Sequence, residues 1–380
     1  MPVARDFFQI YEALPSSSNP WVLIHSIIGY LRFVRGITNP LDYLRSGIDV
    51  EQLHSEIEED TLKPAEEHNS VQKSWCYSAY IQMSFLFSFV INEIQNGPVS
   101  EAHINLVRML SSEDAIITFN WDTLADRALA RETDWRPDWG YGVKPHRVFR
   151  NEWQPPTAAP ERHQHPALLK LHGSTNWITA YAIYEGGALV LTHDLSPETL
   201  HVVEFADRPY PAFAGRYMAG YQPFAYGYYP PNLLEVPGRP APEGYKIAQI
   251  RMKFPGMTGA SEESGLASMP LIIPPVKKKN YNMFGTLFST MWKEAEDYLV
   301  KADEIAIIVY SFPRTDLQSE ELFVRAFMRR SNIPRILIID PVPERIVDKF
   351  ALVFGVPRDR ITFDTAYFSE SYDLRAILGW

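Results

Sequence analysis

Residues 114–124 read DAIITFNWDTL. From Ala115 to Phe119 the side chains are apolar or β-branched at consecutive positions, not at alternate ones. Such a run fits a strand covered on both faces, as in a parallel sheet flanked by helices. Two polar residues, Asn120 and Asp122, then close the run on either side of Trp121. Asp122 also stands where a helix cap would stand, ahead of a helical pattern over 122–131. Strand, polar turn and helix in that order make a βα unit.

The pattern recurs. Further strand candidates are 167–171 (ALLKL), 304–310 (EIAIIVY), 335–339 (RILII) and 360–363 (RITF). Helical periodicity covers 286–301, 317–330 and 343–354, with Trp292, Tyr298 and Leu299 on its core side. This alternation predicts an α/β fold, a Rossmann-like parallel sheet with helices on both faces. Residues 113–178 and 270–375 would form the core of a single domain spanning 1–380.

Two additions interrupt the core. Residues 1–112 read as a helical layer. Trp21, Ile24, Ile28, Leu31 and Val34 fall on one helical face behind an Asn19-Pro20 start signal, and 71–95 reads as a second long helix buried on several sides. The charged stretch EEDTLKPAEEH at 58–68 is expected to be an exposed connection. The second addition spans 179–269. Glu185-Gly186-Gly187 signals a hairpin. Residues 205–245, dense in Tyr, Phe, Pro and Gly, are expected to pack as an ordered loop on the domain or on a second subunit.

Composition narrows the function. The formal net charge is −10 at pH 7, which argues against direct nucleic-acid binding through phosphate neutralisation. The single cysteine, Cys76, excludes an intramolecular disulfide and a cysteine zinc cage. The stretch Ile81–Ile91 is the most apolar and is shorter than the roughly 20 residues of a membrane span. The start, MPVARDFFQIYEAL, lacks the basic-then-apolar pattern of a signal peptide. The expectation is a cytoplasmic protein. His163-Gln164-His165 and Lys277-Lys278-Lys279 are read as solvated, the histidines without a third metal ligand.

In an open parallel sheet, ligands bind beyond the carboxyl ends of the strands. Those ends carry Asn120-Trp121-Asp122, His172-Gly173-Ser174, Ser311 to Asp316, and Asp340-Pro341. Each has a plain structural reading. Asn and Asp cap helices, a histidine after a strand can be structural, and Asp-Pro opens turns.

Together, ITFNWDTL, LLKLHGSTNW, IIVYSFPRTD and ILIIDP resemble the sirtuin-like (silent-information-regulator-like) domain family over about 114–375. The resemblance implies that Asn120 and His172 are the catalytic pair and that Asp122 lies near a nicotinamide amide. It implies that Thr118, Gly173, Ser311, Phe312 and Asp316 line the NAD pocket, and that Asp340 faces the adenosine ribose. Three departures qualify it. The four-cysteine zinc module of protein-deacylating members is absent, which points to the zinc-less bacterial branch that hydrolyses NAD in antiviral defence. Val309 stands where the family has glycine. No Gly-rich phosphate loop occurs, and MPVARDFF is similar to the residues just beyond that loop in the family, so the natural chain is expected to begin upstream of Met1.

The implied activity is cleavage of NAD, as substrate, to nicotinamide and ADP-ribose, with no metal. The implied assembly is a homo-oligomer, acting with a partner ATPase or an argonaute-like protein. The rival reading is a non-catalytic NAD or ADP-ribose sensor, favoured by Val309 and the absent loop. Protein ADP-ribosyl transfer or deacylation ranks below both.

Overall fold

The computed structural model describes residues 6–14, 24–63, 67–95, 98–149, 153–161, 164–180, 182–185, 188–191, 200–204, 268–273, 286–313, 316–370 and 372. The chain opens with α1 (Phe7–Ala13), α2 (His25–Phe33), α3 (Pro40–Arg45), α4 (Val50–Leu62), α5 (Ser70–Gln95) and α6 (Glu101–Val107). Then come β1 (Ala115–Thr118), α7 (Leu124–Glu132), β2 (Arg147–Phe149), β3 (Trp153–Gln154), β4 (Ala167–Lys170) and β5 (Gly173–Ala180). They are followed by β6 (Ala182–Glu185), β7 (Ala188–Leu191), β8 (His201–Val203) and β9 (Ser268–Ile272). The described elements end with α8 (Thr286–Lys301), β10 (Glu304–Ile308), α9 (Leu317–Arg329), β11 (Arg335–Ile339), α10 (Glu344–Leu352) and β12 (Ile361–Asp364).

The helical layer has its own core. Cys76, Ala79, Tyr80, Met83, Leu86, Phe87 and Val90 recur at helical spacing along α5 and meet Ile27, Tyr30 and Leu31 of α2 and Leu53 and Ile57 of α4. Apolar Ile24 cannot cap α2. Instead Gln82 reaches across from α5, and its Oε1 accepts from the Ser26 and Ile27 amides at 2.9 and 3.1 Å. Asp49 caps α4 through the Glu51 amide at 2.9 Å.

The expected exposed connection at 58–68 is corrected here. Its first residues are the last turn of α4, with Asp60 and Thr61 buried. The Asp60 carboxylate accepts from Tyr30 Oη at 2.7 Å and pairs with Lys63 at 2.7 Å and Arg35 at 3.5 Å. Burial pulls its pKa up, but the bonds from Lys63 and Tyr30 and the nearby Lys63 and Arg35 charges outweigh this and lower it. A run of charges in the sequence does not reveal that donors from another helix meet one of them.

The α/β half is mixed, with small sheets, some of them parallel. β1 pairs with β4 in parallel, and β10, β11 and β12 form a second parallel sheet. Both pack on one core, with Leu168, Leu169, Ile305, Ile307, Ile336 and Ile338 meeting Phe288, Leu322 and Phe350 from the helices. A single continuous parallel sheet is not formed among the described residues. β1 stays half-buried along its length, and Ala306 of β10 is exposed. Continuous apolar runs thus overstate how fully the faces are covered and do not show which strand lies alongside. β3, β2, β8, β5 and β9 make a mixed sheet in that order. β6 and β7 pair as the expected hairpin, Glu185 opposite Ala188. Residues 205–267 and Lys277 to Lys279 lie outside the described residues. Among the described residues, no helix is long and apolar enough to cross a membrane.

Candidate active site

β1 and β4 run parallel, with Thr118 beside Lys170. Asn120 and His172 each lie two residues beyond those positions, so both emerge at the same carboxyl edge. The Leu171 amide carries the ladder one step further to Thr118 O at 3.0 Å. The Asn120 amide turns back onto Thr118 Oγ1 at 3.1 Å, and the Asn120 side chain is exposed. Thr118 therefore shapes the turn.

His172 is 5% exposed. Its Nδ1 lies 3.1 Å from Phe119 O and its Nε2 lies 3.3 Å from Asp316 Oδ2. Tyr310 Oη donates to the same Asp316 oxygen at 2.8 Å. Phe119 stacks on Tyr310 with ring centres 4.3 Å apart, and Trp292 lies 6.3 Å from the imidazole. The histidine is thus set in an aromatic wall with a carboxylate at one nitrogen.

Gly173 comes next at φ +80°, and a Cβ there would stand 2.1 Å from Leu271 O. No other residue lets β5 leave the site this close to β9. Asp122 Oδ1 accepts from the Leu124 amide at 3.0 Å, a turn-forming bond to the first residue of α7, whose N-cap position is held by Thr123 and not by Asp122. Ser311 is exposed. Phe312 is placed differently from a pocket residue. Its side chain is buried against Phe323, Phe350 and Phe354. Asp340 sits at the end of β11, and its Oδ1 accepts from the Val342 amide at 2.8 Å, the turn-opening geometry.

A buried polar network that the sequence reading missed lies under the 120–123 turn. Lys170 is fully buried, pairs with Asp126 Oδ2 at 2.9 Å and donates to the Asp122 carbonyl. Tyr141 Oη donates to Asp126 Oδ1 at 2.6 Å, Asn176 Nδ2 to Tyr141 Oη at 3.1 Å, and Ser174 Oγ to Asn176 Oδ1 at 2.6 Å. The Thr175 amide donates to Trp121 O at 2.9 Å, and Gln95 Oε1 accepts from the Thr123 amide at 2.7 Å. The lysine inside the apolar run ALLKL is the signal that could have found it, because a buried ammonium requires a buried partner.

The solvated reading of the histidines at 163–165 is corrected for His165. It is 7% exposed, with Nδ1 2.9 Å from Pro166 O, whereas His163 lies outside the described residues. Among the described residues, no group of three or more His, Cys, Asp or Glu could hold a metal ion. No protein-family model matches the chain, and no curated protein matches it.

Proposed function

We propose that the chain is an NAD hydrolase of the sirtuin-like kind, built on a Rossmann-like arrangement of its two parallel sheets. The observation that carries this reading is the convergence of Asn120 and His172 beyond paired parallel strands, with Asp316 brought to the histidine from the second sheet. The edge is the one where α/β sheets take ligands.

The reaction breaks the nicotinamide–ribose bond and adds water at the anomeric carbon, giving nicotinamide, ADP-ribose and a proton. Its transition state has the oxocarbenium character of glycoside cleavage. Nicotinamide leaves as a neutral base, so the leaving group needs no acid. Exposed Asn120 orients the attacking water or the ribose hydroxyl through its amide. His172 takes up the proton as the C–O bond forms. The aromatic wall excludes bulk water behind it. NAD is the substrate and no metal takes part. In the cell, the reading makes the chain an effector that depletes NAD on phage infection, assembled as a homo-oligomer or with an ATPase or argonaute-like partner.

A second reading, a non-catalytic sensor of NAD or ADP-ribose, is favoured by Val309. Its side chain is 55% exposed at the β10 end, two residues from Ser311, where a phosphate would approach. Calorimetric titration with NAD and with ADP-ribose, alongside chromatography of the NAD mixture, separates the two. Binding with steady release of nicotinamide supports the hydrolase. Binding with NAD recovered intact supports the sensor and overturns the hydrolase.

A further inference from the structure

Oxygen atoms face both ring nitrogens of His172. Nδ1 meets the Phe119 carbonyl at 3.1 Å and Nε2 meets the Asp316 carboxylate at 3.3 Å. Carbonyls and carboxylates only accept hydrogen bonds. A neutral imidazole has one N–H and would turn a lone pair towards one of these oxygens. The imidazolium satisfies both. Tyr310 donates its phenol proton to the same Asp316 oxygen at 2.8 Å, which stabilises the ionised carboxylate. Both partners are buried, His172 to 5% and Asp316 to 2% exposure, so water screens their attraction little.

We infer that Asp316 is a positioning residue that holds His172 as the imidazolium and occupies the ring nitrogen needed for taking up a proton. Among the described residues, facing the ring from the elements packed against it are the Asp316 carboxylate ahead of α9, the Tyr310 phenol after β10, and the rings of Phe119 after β1 and Trp292 on α8. The consequence for catalysis rests on the hydrolase reading. His172 becomes a base only after it loses a proton to solvent and Nε2 exchanges Asp316 for a substrate hydroxyl or water. Asp316 was expected to touch NAD. This geometry gives it a different task.

The test is histidine-selective ¹⁵N NMR of the full chain, with the His172 signal assigned from the His172→Gln spectrum. At about pH 7.5, one unit above an ordinary histidine, wild-type His172 is expected to show the doubly protonated pattern. In Asp316→Asn it is expected to be neutral there. The acid limb of kcat/KM for NAD should move to lower pH by about one unit or more. A neutral His172 in wild type, or identical titrations in the two proteins, would overturn the inference. Should Asp316→Asn fail to fold, the wild-type spectrum alone decides. The spectrum needs no turnover, so a titration shift without NAD cleavage would sink the hydrolase reading and leave the pair standing. Cleavage with an unmoved acid limb would do the reverse.

Discussion

Val309 adopts φ +49° and Phe312 φ +50°, both in the left-handed region that favours glycine. For a β-branched residue this conformation costs on the order of 1–2 kcal/mol. Phe312 recovers energy through burial among aromatic rings, but Val309 is more than half exposed and gains little. Val309→Gly should therefore raise stability in urea unfolding by up to about 1 kcal/mol, after allowing for the flexibility that glycine adds to the unfolded chain. Val353→Gly, at an exposed site with φ −98°, should instead lose stability. If Val309→Gly loses as much as Val353→Gly, strain at this turn is ruled out. The sequence made Asp122 legible as a residue that bonds the start of α7, one position ahead of the Thr123 N-cap, because its chemistry is local. It did not make the side-chain direction of Phe312 legible, because a core of rings contributed by α9 and α10 sets it.

Elements that show their period in the sequence are legible almost to the residue. α8 spans 286–301 as its periodicity predicts, and β11 spans 335–339. What escaped were partners distant along the chain, such as the Tyr30 donor to Asp60 and the Asp126 partner of Lys170. The second of these ties β4 to α7 and to the turn that carries Asn120. Lys170→Met removes the cation and leaves Asp126 buried without it. The expected loss is about 3–5 kcal/mol in chemical denaturation. Lys170→Met paired with Asp126→Leu should recover part of that loss, since no uncompensated charge is then buried. A loss below about 1 kcal/mol in the single variant would mean that the pair does not hold the turn.

Among the described residues the two large cores are a helical one and an α/β one, and a buried histidine beside the helical core adds to its acid sensitivity. His54 is fully buried between Tyr80 and Phe87, and neither ring nitrogen has a hydrogen-bond partner among the described residues. Burial lowers its pKa from 6.5 to about 3. The unfolded chain therefore binds this proton first, and stability drains away as pH falls from 6.5 towards about 3. Glu58, one turn along, is pushed up from 4.5 to about 7, first by burial and then by Glu59, and acts in the opposite sense between those values. Below pH 4.5 Glu58 is protonated in both states, so of these two groups only His54 still drains stability, alongside carboxylates such as Asp60 whose pKa is lowered by their partners. His54→Leu should reduce the pH slope of stability there by up to about 1.4 kcal/mol per pH unit, read by urea unfolding. At neutral pH the variant should be at least as stable as wild type, since two unsatisfied polar atoms are gone. An unchanged acid slope would contradict this account. The helical core and the α/β alternation were legible as composition and period. The division of the parallel strands into two sheets was not, because strand adjacency leaves no mark on a single run.

The central claim is that Asn120 and His172, placed by β1 and β4, cleave NAD. The most direct measurement is nicotinamide and ADP-ribose release from NAD, followed by chromatography, for wild type, Asn120→Ala and His172→Ala, each checked for an unchanged thermal unfolding midpoint. The account predicts equimolar products from wild type and a loss of at least about a hundredfold in each variant. NAD left intact by wild type, or either variant turning over as fast as wild type, would contradict it.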